Sequence, residues 1–392
     1  MEKVEFNSEY FDLGINRMGS RCEKWDAMRA GSGDPEMMPF WVADMDFPSP
    51  PTVTEALLAR AAHPVYGYTE VADDDYTAAA DFWQRRHGIT YTKDELTMLP
   101  CVITGMRVAI RACTQPGDGV VVMAPVYGPF RFSVEATGRT TVTVPLIPGS
   151  DGRMRMDIPG IDRARAAGAR AVMLCNPHNP VGRCWTRTEL EELAACVTRH
   201  NATLISDEIH ADFVYPDHTF TSVLDLMSEH AVAMFAASKT FNIAGLQQAM
   251  LACRDAALRE AIRKEIDATG VRCGNLFALE GTRVAYQTGD AWLDGVMAYL
   301  DGNRAEIARL VAQYLPKAIL HPMEATFLAW LDLRAYGISE KDLLARCAKA
   351  GVKFSEGSFF GTEGEGFLRV NIGCPRRFLA VAIQRLAQVV GD

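Results

Sequence analysis

Between residues 97 and 240 the chain alternates short, largely apolar runs with segments of helical periodicity. Strands without a polar face must be covered on both sides, and helices between successive strands supply that cover. The pattern therefore predicts an α/β fold with a mainly parallel sheet between helices. The predicted strands are Gly119–Met123, Thr140–Leu146, Ala169–Cys175, Thr203–Ser206 and Ala231–Ala236.

One intervening helix has a defined beginning. Thr186 and Glu189 have the spacing of a capping box, in which each side chain binds a free amide of the first turn. The periodic segment Thr188–Arg199 follows, so we predict a helix there.

The pattern changes after about residue 285, where we expect a smaller α+β domain over 285–392 beside a large domain over 51–284. Residues 1–50 are rich in turns, and we expect them to pack with the small domain at the junction. The alternating run Thr326–Leu333 predicts a half-exposed strand. The other predicted elements are a helix over Trp292–Tyr314, a helix capped by Ser339 with Asp342 that ends near Gly351, and a strand over Phe367–Ile372.

Composition restricts the class of protein. The chain has 392 residues, 48% of them hydrophobic, and a formal net charge of -9. Nucleic-acid binding needs clustered Lys and Arg, so this acidic balance argues against it. No run approaches the roughly 18 uncharged apolar residues of a membrane span, and Met1–Tyr10 has no apolar signal core. The ten scattered cysteines lack metal-ligand spacing, which predicts reduced thiols, no bound metal and a cytoplasmic protein.

Candidate chemistry lies where predicted strands end, because ligands bind beyond the carboxyl ends of parallel strands. Lys239 is a candidate nucleophile, although most lysines at strand ends are solvated. Asp207 suits a protonated heterocycle, although a carboxylate at a strand end more often caps a helix or binds a metal. Asn176–Gly182 follows another predicted strand, although its composition alone is more typical of a tight turn. Thr104-Gly105-Met106 opens a helix whose amides suit a phosphate.

In chain order these residues, with Tyr127 among them, resemble the fold-type I pyridoxal-phosphate enzymes. Longer segments resemble the MalY/PatB-type cystathionine β-lyases of the class I/II aminotransferase superfamily, nearly from end to end. The matching segments are Lys24-Trp25-Asp26, 43–47, 66–69, Pro125-Val126-Tyr127, 176–182, 206–210, 238–246, 368–371 and 373–376.

The resemblance implies a site for the ring of pyridoxal phosphate. Lys239 matches the lysine that holds the cofactor as a Schiff base, and Asp207 matches the carboxylate paired with the pyridine nitrogen. Asn179 matches the amide that binds the phenolic oxygen, and Tyr127 matches the aromatic residue stacked on the ring. His210, in the same motif as Asp207, is expected beside the cofactor.

The resemblance also implies a phosphate site and a dimer. The amides of Gly105 and Met106 match the phosphate-binding amides, and the Ser238 hydroxyl is expected to contribute. Tyr68 matches a tyrosine that reaches the phosphate of the neighbouring subunit, so we expect a homodimer with shared sites.

For the substrate, the resemblance implies that Arg369 binds the α-carboxylate through its planar fork, with Asn179 beside it. A surface ion pair is the other role open to Arg369. Trp41 to Asp44 are expected near the substrate.

The implied reaction is α,β-elimination of cystathionine or a cysteine S-conjugate to pyruvate, ammonia and a thiol. The Lys239 amine would remove the Cα proton, and Tyr68 or a water would protonate the departing sulfur. Two other functions stay open. An aminotransferase uses the same lysine, aspartate and arginine, and a regulatory role through protein contact could be added to the same fold.

Overall fold

The computed structural model describes residues 4–271 and 274–391. We number strands and helices in chain order. The strands are β1 (Met38–Phe40), β2 (Leu96–Leu99), β3 (Gly119–Val122), β4 (Thr140–Thr143), β5 (Ile147–Pro148), β6 (Met154–Arg155), β7 (Ala171–Cys175), β8 (Thr203–Asp207), β9 (Ala231–Phe235), β10 (Ala249–Ala252), β11 (Ile319–Leu320), β12 (Leu328–Asp332), β13 (Val352–Glu356) and β14 (Phe367–Asn371).

Helices precede, separate and follow these strands. They are α1 (Ser8–Asp12), α2 (Met28–Ser32), α3 (Pro51–Ala62), α4 (Asp73–His87), α5 (Val102–Cys113), α6 (Pro129–Ala136), α7 (Ile158–Ala166), α8 (Arg187–Arg199), α9 (Ala237–Thr240), α10 (Ala256–Thr269), α11 (Leu276–Thr288), α12 (Asp290–Tyr314), α13 (Glu340–Lys349) and α14 (Arg376–Gly391).

The large sheet has seven strands in the order β2-β10-β9-β8-β7-β3-β4. Among the described strands of this sheet, only β10 runs antiparallel to its neighbours. All five predicted strands are present, with ends that differ by a few residues from the prediction. The predicted mainly parallel sheet is confirmed.

Successive residues of the central strands enter two different hydrophobic cores. Val121 and Leu174 belong to one core, whereas Val120 and Met173 belong to the other. This alternation follows from the two-residue period of a strand, and it explains why these strands have no polar face. Each face is covered by helices, and α5 packs on the second core.

The capping box of α8 is confirmed. The Glu189 amide donates to the Thr186 hydroxyl at 3.3 Å, and the Thr186 amide donates to Glu189 Oε2 at 2.9 Å. Ser339 likewise accepts from the Asp342 amide at the start of α13.

A second sheet has the order β1-β13-β14-β12-β11. The prediction of a half-exposed strand over Thr326–Leu333 is wrong, because every residue of β12 is buried. Trp330 stacks on Phe367 with ring centroids 4.9 Å apart. Asp332 at the end of this strand is also buried, and Arg334 Nη2 donates to its carboxylate at 2.7 Å.

The first 50 residues contribute a strand to the second sheet and aromatic side chains that contact α12. β1 pairs in parallel with β13. Phe11 and Phe47 pack edge-on against each other, and both rings contact Tyr299 of α12. Within the described residues, no helix has the length and apolar character needed to cross a membrane.

Candidate active site

Lys239, Asp207 and Asn179 meet at one edge of the large sheet because their strands are neighbours. The strands β7, β8 and β9 are adjacent and parallel. Asp207 ends β8, Lys239 lies in α9 directly after β9, and Asn179 follows β7. All three line one cavity of about 510 Å³. Sheet register thus brings together residues that are far apart in the sequence.

The Lys239 amine is held by a backbone carbonyl. Its Nζ donates to the Ala43 oxygen at 2.7 Å. Burial lowers the pKa of Lys239 to about 8, and the nearby cations Arg369 and Lys24 act in the same direction. A lysine with this pKa is partly neutral near neutral pH, as a nucleophile or general base requires.

Asp207 is a buried carboxyl with few partners. Its Oδ1 accepts from the Ile209 amide at 3.1 Å. Burial raises the pKa of Asp207 to about 7, against the lowering effects of that hydrogen bond and of Lys239. Among the described residues no cationic side chain is ion-paired with Asp207. A cationic group placed beside this carboxyl would offset the cost of its burial.

Arg369 is a buried guanidinium without a carboxylate partner in the described part of the chain. Its Nη1 donates to Asn179 Oδ1 at 3.1 Å, and its Nη2 donates to the Trp41 oxygen at 2.6 Å and to Ser355 Oγ at 3.1 Å. The Nε has no partner, although it is buried. Burial lowers the pKa of Arg369 to about 10. A planar fork with an unused donor, in a cavity, suits a carboxylate.

The carbonyls of residues 41–45 form what we call the carbonyl strap. One strap oxygen, that of Trp41, binds Arg369, and another, that of Ala43, binds Lys239. The strap therefore holds Lys239, which follows a strand of the large sheet, and Arg369, which lies in the second sheet. Two more strap oxygens accept from asparagine side chains. Asn371 Nδ2 donates to the Asp44 oxygen at 2.7 Å, and Asn242 Nδ2 donates to the Met45 oxygen at 2.8 Å.

A buried charge cluster supports the strap from behind. Lys24 Nζ pairs with Asp46 Oδ2 at 2.8 Å and donates to the Asp44 oxygen at 3.2 Å. Asp46 Oδ1 accepts from Arg17 Nη1 at 2.8 Å and from Trp25 Nε1 at 2.9 Å. Lys24 and Asp46 are both almost fully buried. Because Lys24 binds both Asp46 and a strap carbonyl, the cluster fixes the strap.

The expectation that Asp44 contacts the substrate does not agree with this arrangement. Arg17 binds the Asp44 carboxylate with both ends of its fork, at 2.8 and 2.7 Å. Burial alone would raise the pKa of Asp44, but the Arg17 ion pair and the nearby Lys24 outweigh it, so the pKa is lowered. Trp41 and Ala43 line the cavity, whereas the Asp44 carboxylate belongs to the supporting cluster.

The predicted phosphate amides are also displaced. The Gly105 amide donates to the Cys101 oxygen at 3.2 Å, so it is used inside α5. Met106, one residue further along α5, is likewise beyond the first turn, although it lines the cavity. The first-turn amides without an intrahelical partner are those of Val102, Ile103 and Thr104. Val102 and Ile103 line the cavity.

Gly105 serves the packing of α5 on the sheet instead. A Cβ at this position would lie 2.6 Å from the Met234 sulfur. Glycine therefore allows α5 to lie close to β9, which brings the helix N-terminus to the cavity.

Tyr127, Ser238 and His210 line the same cavity. The Tyr127 amide donates to the Asn179 oxygen at 3.2 Å, and burial raises the pKa of the phenol. His210 is buried, its Nδ1 has no partner, and burial lowers the pKa of its ring to about 3. His210 is therefore a neutral ring, with one nitrogen available to a ligand.

Tyr68 lies away from this cavity. Its side chain is fully exposed, in a segment between α3 and α4. Val65 and Tyr66 of the same segment are also exposed. Within a single chain, the structure brings Tyr68 into contact with none of the other predicted site residues.

Several cavity residues were missed by the sequence reasoning. They include Val102, Ile103, Glu23, Gln247, Lys353, Ser355, Glu356 and Phe359. Val102 and Ile103 could have been found from Pro100, because the helix begins soon after it, at Val102, and not at Gly105. Lys353 and Ser355 occupy alternate positions of β13, and that strand was not predicted.

The residues present fit a phosphorylated, cationic heterocycle. Asp207 lacks a cation, the first turn of α5 offers free amides to a phosphate, and Lys239 offers an amine. Arg369 Nε and His210 Nδ1 are buried donors or acceptors without partners. In the described parts of the chain no group of three or more His, Cys, Asp and Glu side chains is placed to hold a metal ion.

Comparison with known proteins agrees with this geometry. Residues 35–386 match the family model for class I and II aminotransferases. The chain is 36% identical to the cystathionine β-lyase PatB of Bacillus subtilis over 381 residues, which cover 96% of this chain and 98% of that protein. It is 32% identical to the protein MalY of Escherichia coli, with coverage of 97% and 98%.

Solved structures show the same fold. Cystalysin from Treponema denticola, whose crystal structure contains pyridoxal 5'-phosphate, superposes with a TM-score of 0.93 and 29% identity. The alignment covers 97% of this chain and 98% of cystalysin. A pyridoxal-phosphate-bound C-S lyase from Staphylococcus hominis superposes with a TM-score of 0.90 and 27% identity, with coverage of 97% and 98%.

Proposed function

The chain belongs to the class I and II aminotransferase family, and from this premise we propose that it is a pyridoxal-phosphate-dependent carbon–sulfur β-lyase. Its substrates are cystathionine or cysteine S-conjugates, and its products are pyruvate, ammonia and a thiol. One observation supports the proposal in addition to the sequence similarity. The Lys239 amine, with its pKa lowered to about 8, shares a cavity with the Asp207 carboxyl and the Arg369 guanidinium, neither of which is ion-paired in the described part of the chain.

Pyridoxal phosphate, when bound through Lys239, supplies a protonated ring that draws electrons from the substrate Cα. Asp207 would keep the ring nitrogen protonated, because a carboxylate favours a neighbouring positive charge. The first-turn amides of Val102 and Ile103, with the Ser238 hydroxyl, would hold the phosphate. Tyr127 would pack against the ring.

Arg369 and Lys239 divide the work on the substrate. Arg369 binds the α-carboxylate, and its hydrogen bonds to Asn179 and the Trp41 carbonyl fix the orientation of its planar fork. Lys239, once its amine is free, removes the Cα proton as a general base. The Ala43 carbonyl accepts from the same amine, and so directs it toward the cavity.

Tyr68 supports a homodimer with shared sites. Its exposed side chain, together with exposed Val65 and Tyr66, offers a surface to a second copy. In such a dimer Tyr68 reaches the phosphate of the neighbouring site and is available as a proton donor for the departing sulfur. The described cysteines are all free, which is typical of a reducing compartment, and we place the enzyme in the cytoplasm. Cys273 lies outside the described residues.

The decisive experiment incubates the purified holoenzyme with cystathionine and no keto acid. A β-lyase releases pyruvate and thiol in equal amounts under these conditions. Strict dependence on an added keto acid would instead identify an aminotransferase and overturn the proposal.

A Lys239→Ala variant tests the attachment of the cofactor. It should lose at least about 10³-fold in turnover, since both the attachment point and the general base are removed. Borohydride should fix the cofactor to residue 239 of the native protein, detected by peptide mass spectrometry, and not to the variant. Lys264→Ala, at an exposed position of α10, is the matched control and should behave as the native protein. Fixation at another lysine would contradict the assignment.

A further inference from the structure

Lys239 lies in a helix of a single turn, α9, which has four residues. One turn of helix is not stable by itself, because nucleation fixes several backbone dihedral angles for one hydrogen bond. No side chain caps the start of α9. The direction of the Lys239 side chain must therefore be set by the contacts that hold the residues beside it.

One such contact is made by Thr240, the residue after Lys239. Its side chain is fully buried, and its hydroxyl donates to Asp212 Oδ2 at 2.6 Å. Asp212 lies in the turn that follows β8, five residues after Asp207. This hydrogen bond therefore joins the segment that carries the Asp207 carboxyl to the helix that carries the Lys239 amine.

The other oxygen of Asp212 is held by an imidazole ring. His87 Nε2 lies 2.8 Å from Asp212 Oδ1, and the ring nitrogen donates because a carboxylate can only accept. His87 ends α4, and its ring packs against Trp83 and Phe220, with centroids 4.7 and 5.2 Å away. The carboxylate thus has two fixed partners, one for each oxygen.

Burial makes the two hydrogen bonds of Asp212 important. Its side chain is 6% exposed, and that of His87 is 8% exposed. Within residues 4–271 and 274–391, no lysine or arginine is ion-paired with Asp212. A buried carboxylate that loses a partner has no water to replace it, so we expect Asp212 to keep this one orientation.

A buried polar cluster of this kind usually serves packing alone, but its place beside α9 gives it a second effect. Thr240, Asp212 and His87 are not among the residues that line the cavity, so they do not touch a substrate. Asn242, just after α9, is bound to the strap: its Oδ1 accepts from the Met45 amide at 3.0 Å. The helix thus has two anchors, the strap through Asn242 and the segment after β8 through Asp212.

We propose that Thr240, Asp212 and His87 are positioning residues, which hold the Lys239 amine at a fixed place relative to the Asp207 carboxyl. The proposal rests on the proposed function, because it concerns the same amine. The cofactor must reach both groups at once, so a small rotation of α9 misplaces the amine and leaves the carboxylate-binding arginine of the second sheet in place. Misplacement of a reacting group by about 1 Å slows a reaction by about 100-fold.

The rate of cofactor attachment to the cofactor-free protein tests this positioning role. Pyridoxal phosphate is added, borohydride stops the reaction at set times, and peptide mass spectrometry measures the modified fraction of residue 239. Thr240→Val keeps the shape of the side chain and removes the hydroxyl, so attachment should become about 10-fold slower. Thr240→Ser keeps the hydroxyl and should stay within about threefold of the native rate. Equal slowing by valine and serine would trace the effect to packing and overturn the proposal.

A double-variant cycle tests whether Thr240 acts through Asp212. Asp212→Ala should slow attachment at least as much as Thr240→Val, and the double variant should be slower than Asp212→Ala by no more than about twofold. His87→Phe keeps a ring against Trp83 and removes the donor, so it should slow attachment by about threefold. Multiplicative effects of the first two substitutions, or a native rate in His87→Phe, would contradict a connected set of positioning residues.

Kinetics of the holoenzyme separate positioning from packing. Thr240→Val should lower kcat for pyruvate release from a thioether about 10-fold and change KM by no more than about twofold, because the substrate-binding groups stay in place. Thr203→Val, at a buried threonine that begins β8 at the end away from Asp207, is the matched control and should change neither constant. A lower midpoint of urea unfolding in Thr240→Val, with native kcat and a native attachment rate, would show a role in packing alone and overturn the proposal.

The same measurements distinguish failure of this proposal from failure of the proposed function. If the native protein released no pyruvate from any thioether, but Thr240→Val slowed attachment and Thr240→Ser did not, the lyase proposal would fail and the positioning role would stand. If the native protein released pyruvate, and Thr240→Val attached the cofactor and turned over at native rates, only the positioning role would fail.

Discussion

The two halves of the cavity are built from different kinds of group. At the large sheet the chemistry comes from side chains at strand ends, Lys239 and Asp207, whose positions follow from sheet register. At the junction it comes from the carbonyl strap and Arg369, positioned by ion pairs that lie behind the strap. The first half is tuned by burial, which shifts the pKa values of its groups. The second half is tuned by geometry, and it depends on residues that never touch the ligand.

Substitutions in the two halves of the cavity are therefore expected to have different effects. Substitution at a strand end changes the chemistry and leaves the framework in place. Substitution in the charge cluster behind the strap changes the framework, and the Lys239 and Arg369 contacts change with it. Three variants separate these cases.

The largest effect is expected for Asp46→Asn. The substitution removes the nearer of the two carboxylates that pair with buried Lys24 and leaves only Asp44, whose Oδ1 lies 3.4 Å away. Breaking a buried ion pair costs about 3 to 5 kcal/mol. Urea unfolding should show this loss in the free energy of unfolding, and the strap contacts to Lys239 and Arg369 should loosen, raising KM. Asp294→Asn is the control, because its ion pair with Arg86 is exposed and should be worth less than about 1 kcal/mol. Equal small losses in both variants would show that the cluster does not hold the strap.

The sequence could predict the first half better than the second. The strands that end at Asp207 and before Lys239 are apolar, so the strands and their mainly parallel arrangement were foreseeable, and the structure brings these residues into one cavity. The strap was not foreseeable, because any backbone carbonyl can accept a hydrogen bond and none has a sequence signature.

Asp44 shows the same limit for side chains. Its neighbours in the chain lie at the cavity, but its carboxylate faces Arg17, a partner 27 residues away that only the folded chain identifies. For α5, the glycine at 105 suggested a helix start whose amides bind a phosphate, whereas the glycine allows close packing on Met234. Composition and periodicity give the elements, but they do not give the direction in which a polar group points.

A smaller and pH-dependent effect is expected for Asp207→Asn in the cofactor-free protein. The pKa of Asp207 is raised to about 7 in the folded state from 3.8. The folded protein therefore binds more protons between these values, and its stability falls as the pH rises through them. Asparagine removes this cost, so the variant's advantage in unfolding free energy should grow by about 2 to 3 kcal/mol between pH 5 and pH 8.

The holoenzyme should show the opposite sign. There the Asp207 carboxylate gains a cationic partner, so asparagine should weaken cofactor binding and slow turnover. Asp217→Asn, at a position that is 81% exposed, should change neither property. An advantage of Asp207→Asn that did not vary with pH would mean that burial does not tune this carboxyl.

The smallest effect is expected for Arg369→Lys, which keeps the charge and removes the fork. Lysine cannot reach Asn179 and the Trp41 carbonyl while it binds a carboxylate in two places, so KM should rise about 10- to 100-fold with a smaller change in kcat. Burial already lowers the pKa of Arg369 to about 10, and lysine begins from a lower pKa. The variant's amine should therefore lose its proton in the alkaline range, and its KM should rise further between pH 7 and pH 9 while the native KM does not. Arg309→Lys, exposed on α12, serves as the control. If kcat fell while KM stayed constant, Arg369 would act on the reacting atoms, and the division between a chemical half and a geometric half of the cavity would not hold.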